Sequence, residues 1–459
     1  MNENIFKAYD IRGIYEKELT DDLAYYIGMA YGKHIKELSK DTVLIGYDNR
    51  PSSIPLYDNL VKGIIKTGIN VVSIGLATTP MLYYARVFLK IPSSIIITAS
   101  HSPSIYNGFK FSFDESGFAY GEHIAAFREE VKEMMKSPFA SDKLGSVTSY
   151  DIKKPYLEML NSKIELGNRK IKVVVDCGNG TASIVAEEAF KNALCEVIPL
   201  YCESDPNFPN HHPDPAVEAN MEDLKEMVVK ENADLGIAFD GDADRVGVVD
   251  ELGNMIYADY VLGVLARELF TKTDDKRLLL DIKCSKAIED DVVRNGGSVT
   301  YTRTGHSYGK KALNEGNFLL GGELSGHIYM KDEFFGHDDG IYVGLRLVRL
   351  LSNTDKPFSA LLEGFNKYAS TPEIKVKASD DVKFKIIDEV ISYTKDKNYK
   401  LLTLDGVRVL FEDGWALVRA SNTGPNITMR FEAKTEDRVK EIKEEFETVL
   451  FDIMKKYDL

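Results

Sequence analysis

The stretch Leu235-Gly-Ile-Ala-Phe-Asp-Gly-Asp-Ala-Asp-Arg245 decides the fold of this chain. The apolar run Leu235–Phe239 predicts a buried strand, and three aspartates follow it at alternate positions. In open α/β sheets, the side chains that bind ligands lie at the carboxyl ends of the strands. The stretch therefore predicts an α/β fold with a functional loop directly after this strand.

Short β-branched runs alternate with amphipathic helical stretches through most of the chain, which predicts mixed, mainly parallel sheets covered by helices. From about Pro372 the pattern changes to strands with polar alternation, and a last helix carries apolar residues between Val439 and Ile453. A smaller α+β domain is therefore expected at the end of the chain. We expect strands at 42–46, 70–74, 94–98, 171–176, 277–282 and 298–302, and helices at 56–67 and 342–351.

Length and charge limit the classes of protein that the chain can belong to. The chain has 459 residues, whereas a single hydrophobic core stops growing at about 250–300 residues, so three or four domains are expected. Its 44% apolar and 28% charged residues are ordinary for a folded protein. A net charge of -15, with no dense run of Lys and Arg, would repel nucleic acids and anionic membranes. We expect neither as a partner.

The cysteines and the N-terminal residues indicate the compartment. Cys177, Cys195, Cys202 and Cys284 have neither the spacing of a zinc site nor the density of a disulfide-rich secreted domain. The first residues lack the basic and apolar regions of a signal peptide. No stretch approaches the roughly 20 apolar residues that cross a bilayer. We therefore expect a reducing compartment and a cytoplasmic location.

The three aspartates Asp240, Asp242 and Asp244 are spaced so that their oxygens can converge on one hard cation. Magnesium fits a site that handles phosphate, because it keeps coordination positions open for substrate oxygens. The spacing also matches three positions of a calcium-binding EF-hand loop, with Glu251 at the last ligand position. The EF-hand interpretation fails because Arg245 stands where that loop needs glycine and the flanks predict strands.

The aspartate loop has two other interpretations, a solvated acidic turn and the loop of a phosphatase with an aspartyl nucleophile. A solvated acidic turn is disfavoured because three charges this close repel one another without a counterion. A strand followed by Asp-x-Asp is also typical of phosphatases with an aspartyl nucleophile. Asp240 therefore stays open as an alternative site of phosphorylation.

A second motif, Thr98-Ala-Ser-His-Ser-Pro103, follows an apolar run, and Tyr106-Asn-Gly-Phe-Lys110 comes soon after it. Ser100 then stands at the carboxyl end of a predicted strand, where ligands bind. A nearby His or Lys could take the serine proton, and Lys110 could neutralise a phosphate on Ser100. The same residue types are common in surface turns, so the local spacing leaves both interpretations open.

The third motif consists of two glycine-containing stretches, and the fourth is a single stretch. Arg303-Thr-Gly-His-Ser307 and Gly321-Gly-Glu-Leu-Ser-Gly-His327 suit hydrogen bonding to sugar hydroxyls, and His306 is a candidate for proton transfer near neutral pH. Arg419-Ala-Ser-Asn-Thr-Gly-Pro-Asn426 offers a charge and several donors to a phosphate. Each of these loops alone also fits an ordinary polar turn. The turn 176–180 lacks the dinucleotide and Walker patterns, so no nucleotide is expected.

Taken together and in this order, the four motifs resemble those of the α-D-phosphohexomutases, most closely the bifunctional phosphomannomutase/phosphoglucomutase branch. Phe6-Lys-Ala-Tyr-Asp-Ile-Arg-Gly13 resembles the N-terminal segment of that family, and Asn207-Phe-Pro-Asn-His-His-Pro-Asp-Pro215 resembles its second-domain loop. The resemblance implies four domains around a central cleft, of which three are similar α/β units and the fourth is smaller. The implied domains are 1–149 with the phosphoserine loop, 150–253 with the metal-binding loop, 254–368 with the sugar-recognition loop and 369–459 with the phosphate-binding loop.

The resemblance also implies a reaction. A hexose 1-phosphate and a hexose 6-phosphate, of mannose and/or glucose, would be interconverted through an active-site phosphoserine and a hexose 1,6-bisphosphate, which is both intermediate and activator. The partners would be Mg²⁺ and a small phosphosugar, and the chain would act as a monomer or homodimer. The alternatives are a phosphoglucosamine mutase of the same family or a sugar phosphatase with an aspartyl nucleophile. Leu324 favours the mannose/glucose branch, because the glucosamine branch tends to carry Gln there.

By the same resemblance, individual residues receive roles. Ser100 would carry the phosphoryl group, and its phosphate would complete a magnesium site. Arg12 and Lys110 would flank the phosphoserine, and His306 would act as general acid or base. The implied metal ligands are Asp240, Asp242 and Asp244 with the phosphate of Ser100. The implied substrate-binding residues are Tyr9, Arg245, Lys283, Gly305, Glu323, Ser325, His327, Arg419, Ser421, Asn422 and Thr423.

Two positions depart from the family pattern. Ser102 stands where Asn is more usual, and Ala243 stands where Gly is more usual. Neither change removes a ligand or the nucleophile. We therefore expect an effect on local backbone shape and not on the reaction.

Overall fold

The computed structural model describes residues 1–115, 117–421 and 424–457. These residues form two compact units. The first unit consists of Met1–Val261 and Ser325–Leu362, and the second consists of Leu262–Leu324 and Glu363–Leu459. Among the described residues, no helix combines the length and the apolar character that a membrane span requires.

A six-stranded mixed sheet begins the first unit, in the order β1-β5-β4-β2-β3-β6. The predicted strands at 42–46, 70–74 and 94–98 are confirmed and lie parallel to one another in its centre. The strands are β1 (Ile11–Ile14), β2 (Thr42–Tyr47), β3 (Asn70–Leu76), β4 (Ser94–Ile97), β5 (Tyr106–Ser112) and β6 (Val147–Ser149). The helices are α1 (Asp21–Glu37), α2 (Ser53–Lys66), α3 (Thr79–Phe88) and α4 (Glu122–Lys136).

Strand β5 differs from what its sequence indicates. Asn107 and Gly108 are typical of turns, yet they lie inside β5, which is antiparallel to both β1 and β4. Gly108 is needed there because a Cβ at this position would lie 2.1 Å from the carbonyl oxygen of Ile11. The pairing makes the segment 98–105 a connection between two buried strands, and Lys110 projects from a buried position of β5.

The second sheet of the first unit has five strands in the order β11-β10-β9-β7-β8. All residues of β9 are buried, and β9 has the bounds that the sequence predicts. Because β10 is antiparallel to β9, the aspartate loop is a hairpin connection between them. The strands are β7 (Lys172–Asp176), β8 (Glu196–Leu200), β9 (Leu235–Phe239), β10 (Val246–Asp250) and β11 (Met255–Ile256), and the helices are α5 (Lys153–Lys163), α6 (Ala186–Asn192) and α7 (Glu222–Glu231).

The second unit contains parallel strands flanked by helices, and the chain then returns to the first unit. The predicted strands at 277–282 and 298–302 are confirmed and pair in parallel. Helix α8 (Ala258–Phe270) precedes β12 (Arg277–Asp281), α9 (Lys286–Arg294), β13 (Ser298–Thr302), α10 (His306–Glu315) and β14 (Leu320–Gly322). Back in the first unit lie β15 (Ile328–Met330), α11 (Gly340–Ser352) and α12 (Phe358–Leu361).

An antiparallel sheet with two long helices ends the second unit, as the change of pattern near Pro372 predicts. Its order is β16-β21-β20-β19-β18, and β17 also pairs with β21. Its core includes Val418, Phe431, Ile442 and Phe446. The strands are β16 (Ala369–Ser370), β17 (Ile374–Lys377), β18 (Lys400–Leu402), β19 (Val407–Leu410), β20 (Gly414–Ala420) and β21 (Asn426–Ala433), and the helices are α13 (Lys383–Asp396) and α14 (Glu436–Met454).

Candidate active site

Ser100 lies directly beside the aspartate loop, although 140 residues separate it from Asp240. Its hydroxyl donates to Asp240 Oδ2 at 2.8 Å, and its backbone N–H donates to Thr98 Oγ1 at 2.8 Å. The residue is 2% exposed and has a φ of 52°, a left-handed conformation that non-glycine residues rarely adopt. The fold therefore holds this hydroxyl in a strained, buried loop against a carboxylate.

The three aspartates form one compact, fully buried group. Oxygens of Asp240, Asp242 and Asp244 lie within 4.8 Å of one another. The Oδ1 atoms of Asp242 and Asp244 are buried and accept no hydrogen bond from the residues that the structure describes. Burial and the negative charge of Asp242 raise the pKa of Asp240 well above its ordinary value. A divalent cation fits this donor set, because it would satisfy the open oxygens and offset the repulsion.

Ala243 has a backbone conformation that suits glycine, the residue that the family pattern usually has in the middle of the aspartate loop. Its φ is 64°, and left-handed backbone costs a residue with a Cβ roughly 1–2 kcal/mol. Asp242 and Asp244, on either side of Ala243, both belong to the buried carboxylate group. The departure from the family pattern therefore adds local strain and leaves the carboxylate group complete.

Lys110 supplies a positive charge to the same group from strand β5. Its Nζ donates to Asp242 Oδ2 and to Asp244 Oδ2, each at 2.7 Å. Burial alone would lower the pKa of Lys110, but the two carboxylates raise it above its ordinary value. Conversely, burial would raise the pKa of Asp242, but Lys110 lowers it. Lys110 is therefore a fixed cation beside Ser100 and the aspartates.

Arg12 lies on strand β1 near the serine loop. Its guanidinium donates to Asp10 Oδ2 at 2.5 Å and to Ser102 Oγ at 3.0 Å. Ser102, the second departure from the family pattern, thus orients Arg12 through its hydroxyl. Within the described part of the chain, the buried Nε of Arg12 donates no hydrogen bond, which leaves a donor for an anion. Tyr9 is close enough to raise the pKa of Arg12 electrostatically, after Asp10.

Arg245 is hydrogen-bonded to His327 next to the aspartates, and Asp338 lies close to the other side of the His327 ring. Arg245 Nε donates to His327 Nε2 at 3.0 Å. Because a guanidinium only donates, His327 Nε2 must accept and its Nδ1 must carry the hydrogen. Nδ1 lies 2.8 Å from Asp338 Oδ2, so this carboxylate faces the hydrogen-bearing side of the ring. The fold thus fixes the neutral tautomer of His327, and Arg245 lies 3.9 Å from Asp240.

The predicted sugar-recognition residues fall in both units. Ser325 precedes Gly326, whose φ is 100°, in the first unit with His327. In the second unit, the N–H of Gly305 donates to Glu323 Oε1 at 3.2 Å, and His306 follows as the buried first residue of α10. Glu323 therefore orients the N-terminus of the helix that carries His306.

A group of buried cations lies in the second unit. Arg419 Nε donates to Asp405 Oδ2 at 2.8 Å, and Lys283 Nζ lies 3.2 Å from Glu373 Oε1. The charge of Lys283 lowers the pKa of Glu373 to about 2. Carboxylates thus hold Lys283 and Arg419 in place, and such cations suit recognition of a phosphate.

The predicted phosphate loop is only partly described. Ser421 Oγ accepts from the N–H of Gly424 at 3.1 Å. Lys383, which sequence reasoning missed, donates from its buried Nζ to the carbonyl oxygens of Ser421 at 2.7 Å and Gly424 at 3.0 Å. Asn422 and Thr423 lie outside the described residues, so their predicted contacts with phosphate stay predictions.

Two other residues of the site were missed by the sequence reasoning. Thr79, the first residue of α3, donates from its Oγ1 to Asp242 Oδ2 at 2.6 Å. Arg50 follows strand β2, and its position after a buried strand is the signal that could have identified it. No comparable signal marks Thr79, because its contact depends on the tertiary fold.

Arg50 holds the serine loop through its whole guanidinium. The Nη2 atom donates to the carbonyl oxygens of Ser100 at 2.6 Å and Ser102 at 2.7 Å. The Nη1 atom donates to those of Pro103 and Tyr106, and Nε donates to Asp48. All five N–H donors are therefore used. This clamp compensates the left-handed backbone of Ser100.

We expect Arg50→Lys to lower both stability and turnover. A lysine cannot reproduce the planar fork, so the loop loses several charge-assisted hydrogen bonds, at about 3 kcal/mol. Turnover should fall about tenfold or more, because small displacements of reacting groups are costly. Denaturant unfolding and steady-state kinetics measure the two effects. The control is Arg86→Lys, because Arg86 is a half-buried arginine that donates to the carbonyl oxygen of Pro92. Equal turnover in both variants would contradict the positioning role.

Helix α11 begins against the aspartate loop. The N–H of Gly340 donates to the carbonyl oxygen of Ala243 at 3.1 Å, and a Cβ at Gly340 would lie 2.5 Å from that of Arg245. Asp339 caps the helix by accepting from the N–H of Tyr342 at 2.9 Å and from Tyr156 Oη at 2.8 Å. Burial raises the pKa of Asp339 to about 7.

The raised pKa of Asp339 predicts a pH dependence of stability. Between its ordinary value of 3.8 and about 7, the folded chain holds a proton that the unfolded chain lacks, so the free energy of unfolding falls as pH rises through this window. The Asp339→Asn variant should lose this component, which is at most about 4 kcal/mol. Urea unfolding at pH 5 and pH 7.5 compares the two proteins. An identical pH difference in both would contradict the prediction.

Four family models match the chain in order. They describe the alpha/beta/alpha domains I, II and III and the C-terminal domain of phosphoglucomutase/phosphomannomutase, and they match residues 3–137, 154–253, 257–368 and 373–449. These matches confirm the prediction of three α/β domains followed by a different C-terminal domain. The exact boundaries at 149, 253 and 368 stay a prediction.

Similar proteins cover almost the whole chain. A phosphomannomutase/phosphoglucomutase of Pseudomonas putida is 40% identical over 98% of this chain and 96% of its own. One of Pseudomonas aeruginosa is 41% identical over 97% of this chain and 95% of its own. The crystal structure of a phosphoglucomutase/phosphomannomutase family protein from Burkholderia thailandensis is 36% identical, with a TM-score of 0.91 over 99% of this chain and 98% of its own.

Proposed function

Because the chain belongs to the phosphoglucomutase/phosphomannomutase family and is a phosphohexomutase, we propose that it interconverts the 1- and 6-phosphates of mannose and glucose through a phosphoryl group on Ser100. The observation that carries this proposal is the 2.8 Å hydrogen bond from Ser100 Oγ to Asp240. This bond places the proposed nucleophile beside the proposed metal site.

The aspartate group is the proposed magnesium site. Asp240, Asp242 and Asp244 fit a hard cation because their oxygens cluster, are buried and are incompletely hydrogen-bonded. When bound, Mg²⁺ would supply positive charge that stabilises the transferring phosphoryl group. The phosphate of Ser100 would add a further oxygen to the site.

The protein's own cations would hold the phosphoryl group during transfer. Phosphoryl transfer depends on positioning and electrostatic stabilisation, because the transition state carries charge on its oxygens. Lys110 and Arg12 lie on adjacent strands beside Ser100, and Arg245 lies beside Asp240. Transfer from Ser100 to a sugar hydroxyl would give the 1,6-bisphosphate, and return of its other phosphate would give the product and restore phosphoserine.

Proton transfer needs a base near the sugar hydroxyl that attacks. His306 remains the proposed general acid or base, because it begins α10 in a loop ordered by Glu323. His327 is a second candidate, because the hydrogen bond from Arg245 makes its Nε2 an acceptor and leaves the hydrogen on Nδ1. Exchange of each histidine for Gln, with the pH dependence of kcat as the readout, separates the two roles.

The remaining predicted residues would bind the sugar and its second phosphate. Glu323 and Ser325 would hold sugar hydroxyls. By the family resemblance, Tyr9, Gly305 and His327 would also bind the substrate. Lys283 and the phosphate-loop residues Arg419, Ser421, Asn422 and Thr423 would bind the phosphate that does not react. The cations Lys283 and Arg419 support this, because each is buried and held by a carboxylate.

The proposed choice of mannose and glucose as substrate sugars rests on one side chain and on similar proteins. Leu324 matches the mannose/glucose branch, and the two Pseudomonas relatives are phosphomannomutase/phosphoglucomutases. Hexose 1,6-bisphosphate is the proposed activator, since it would return Ser100 to its phosphorylated form. We further propose a cytoplasmic enzyme, monomeric or homodimeric, because reduced cysteines and phosphorylated metabolites suit that compartment.

A substrate comparison tests the proposed function. The protein is incubated with Mg²⁺, a trace of glucose 1,6-bisphosphate and, in turn, mannose 1-phosphate, glucose 1-phosphate or glucosamine 1-phosphate. The expected result is formation of the 6-phosphate from the first two. Preferred turnover of the glucosamine compound would identify the other branch, and steady release of inorganic phosphate would indicate a phosphatase.

A further inference from the structure

Cys177 and Cys202 form a thiol pair in the first unit. Their Sγ atoms are 2.9 Å apart, whereas the bond of a disulfide is about 2 Å long. Cys177 directly follows β7, and Cys202 follows the neighbouring strand β8 shortly after its end. Cys177 is fully buried, but Cys202 is partly exposed. Both cysteines are free in this structure.

The turn that Cys177 begins supports the aspartate loop directly. The N–H and the Oγ1 of Thr181 both donate to the carbonyl oxygen of Gly241, at 3.0 and 2.8 Å. The N–H of Gly180 donates back to the carbonyl oxygen of Cys177 at 2.8 Å. A displacement of Cys177 therefore shifts this short turn and, through Thr181, the backbone of Gly241, which lies between Asp240 and Asp242.

The same turn is anchored to the first sheet. Asn49 Nδ2 donates to the carbonyl oxygen of Asn179 at 2.8 Å. Gly178 and Asn179 have φ angles of 50° and 55°, so both are in the left-handed region. Two consecutive residues in this region leave the turn few conformations, so a displacement at Cys177 has to be taken up by its contacts.

We propose that Cys177 and Cys202 are a reversible redox modification site, and that a disulfide between them lowers mutase activity by displacing the turn 177–181 beneath the aspartate loop. The modification itself does not depend on the proposed function; its effect on activity does. A bond requires the sulfurs to approach by nearly 1 Å and to adopt a dihedral angle of about 90°.

Hydrogen peroxide is the oxidant in this proposal. The more exposed sulfur, that of Cys202, attacks the peroxide, so that an S–O bond forms, the O–O bond breaks and one water leaves. The sulfur of Cys177 then attacks Cys202, an S–S bond forms, the S–O bond breaks and a second water leaves. Two thiols are oxidised by two electrons, and one peroxide is reduced to two waters. A dithiol such as dithiothreitol reverses the reaction by exchange.

Peptide mapping and activity test the proposal together. The reduced, full-length protein is treated with hydrogen peroxide, and part is digested without reductant for mass spectrometry. We expect a linked peptide pair that contains Cys177 and Cys202. Activity should fall about tenfold or more, since displacing a reacting group by ~1 Å can cost about 100-fold, and dithiothreitol should restore it.

Two cysteine-to-serine variants show which cysteines are needed for the loss of activity under peroxide. Cys202→Ser should keep its activity under peroxide. Cys195→Ser should be inhibited like the unchanged protein, because Cys195 Sγ bonds to the carbonyl oxygen of Ala193, whereas the paired sulfurs are those of Cys177 and Cys202. The absence of the linked peptide would overturn the modification site. A linked peptide with undiminished activity, or equal inhibition of Cys202→Ser, would overturn the effect on the aspartate loop. Failure of all mutase activity in the reduced protein would instead refute the proposed function.

Discussion

Ser100→Ala is expected to reduce turnover of hexose 1-phosphates by about 10⁴-fold or more, as removal of a covalent nucleophile does in other enzymes. The alanine variant lacks the oxygen that would accept and donate the phosphoryl group. The fold should change little, because the loop is held by bonds from Arg50 to backbone carbonyl oxygens, which the substitution keeps. A coupled assay for glucose 6-phosphate measures the loss.

Ser104→Ala is the matched control for this prediction, since Ser104 lies in the same connection between β4 and β5. Its turnover should stay close to that of the unchanged protein. Thermal unfolding of both variants shows whether either has lost its structure. A correctly folded Ser100→Ala protein with undiminished turnover would mean that the phosphoryl group is carried elsewhere.

Asp242→Asn should lower activity at saturating substrate by more than about 100-fold, which exceeds the effect of changing a group that only supports a metal ligand. The amide removes one negative charge from the carboxylate group and weakens its bond with Lys110. The concentration of Mg²⁺ needed for half activity should rise at the same time. Magnesium titration of activity, with calorimetric titration of Mn²⁺ as an independent readout, checks both effects.

Thr79→Val provides a graded comparison for Asp242. It keeps the carboxylate and removes the hydroxyl that donates to Asp242 Oδ2. We expect a loss of about 10–100-fold, the range for a group that orients a ligand. If Asp242→Asn and Thr79→Val both kept the magnesium requirement unchanged, the aspartate loop would not be the cation site.

Much of the fold follows from local sequence pattern. Strands β9 and β13 have the predicted bounds. The first is an uninterrupted apolar run, and the second is rich in Val, Thr and Tyr, which favour strands. The long helix α14 buries the apolar residues that repeat from Val439 to Ile453, which is the face that the sequence indicates. In these elements, local preference and tertiary packing agree.

Other elements could not be predicted because their partners are distant in sequence. Strand β5 contains a turn-like Asn-Gly pair, and its pairing with β1 overrides that local preference. The exposed strand β6 lies in a polar segment, and it pairs with β3, which is about 75 residues earlier. Such edge strands carry little hydrophobic signal, so the sequence alone does not identify them as strands.

The candidate site, like the fold, could be predicted only in part from the sequence. The identities of Ser100, Lys110 and the three aspartates could be predicted from their motifs, but their mutual contacts could not. Two sheets must pack together before Lys110 reaches Asp242 and Asp244. Arg50 and Thr79 belong to no recognisable motif, because their roles come from bonds to loops that fold beside them.

The central claim is that Ser100, and not Asp240, carries the phosphoryl group. The most direct test incubates the protein with glucose 1,6-bisphosphate and Mg²⁺, digests it in acid and locates phosphate by peptide mass spectrometry. We expect acid-stable phosphate on the peptide that contains Ser100, with none in the Ser100→Ala variant. Phosphate absent from that peptide, or an acid-labile phosphate on Asp240, would contradict it.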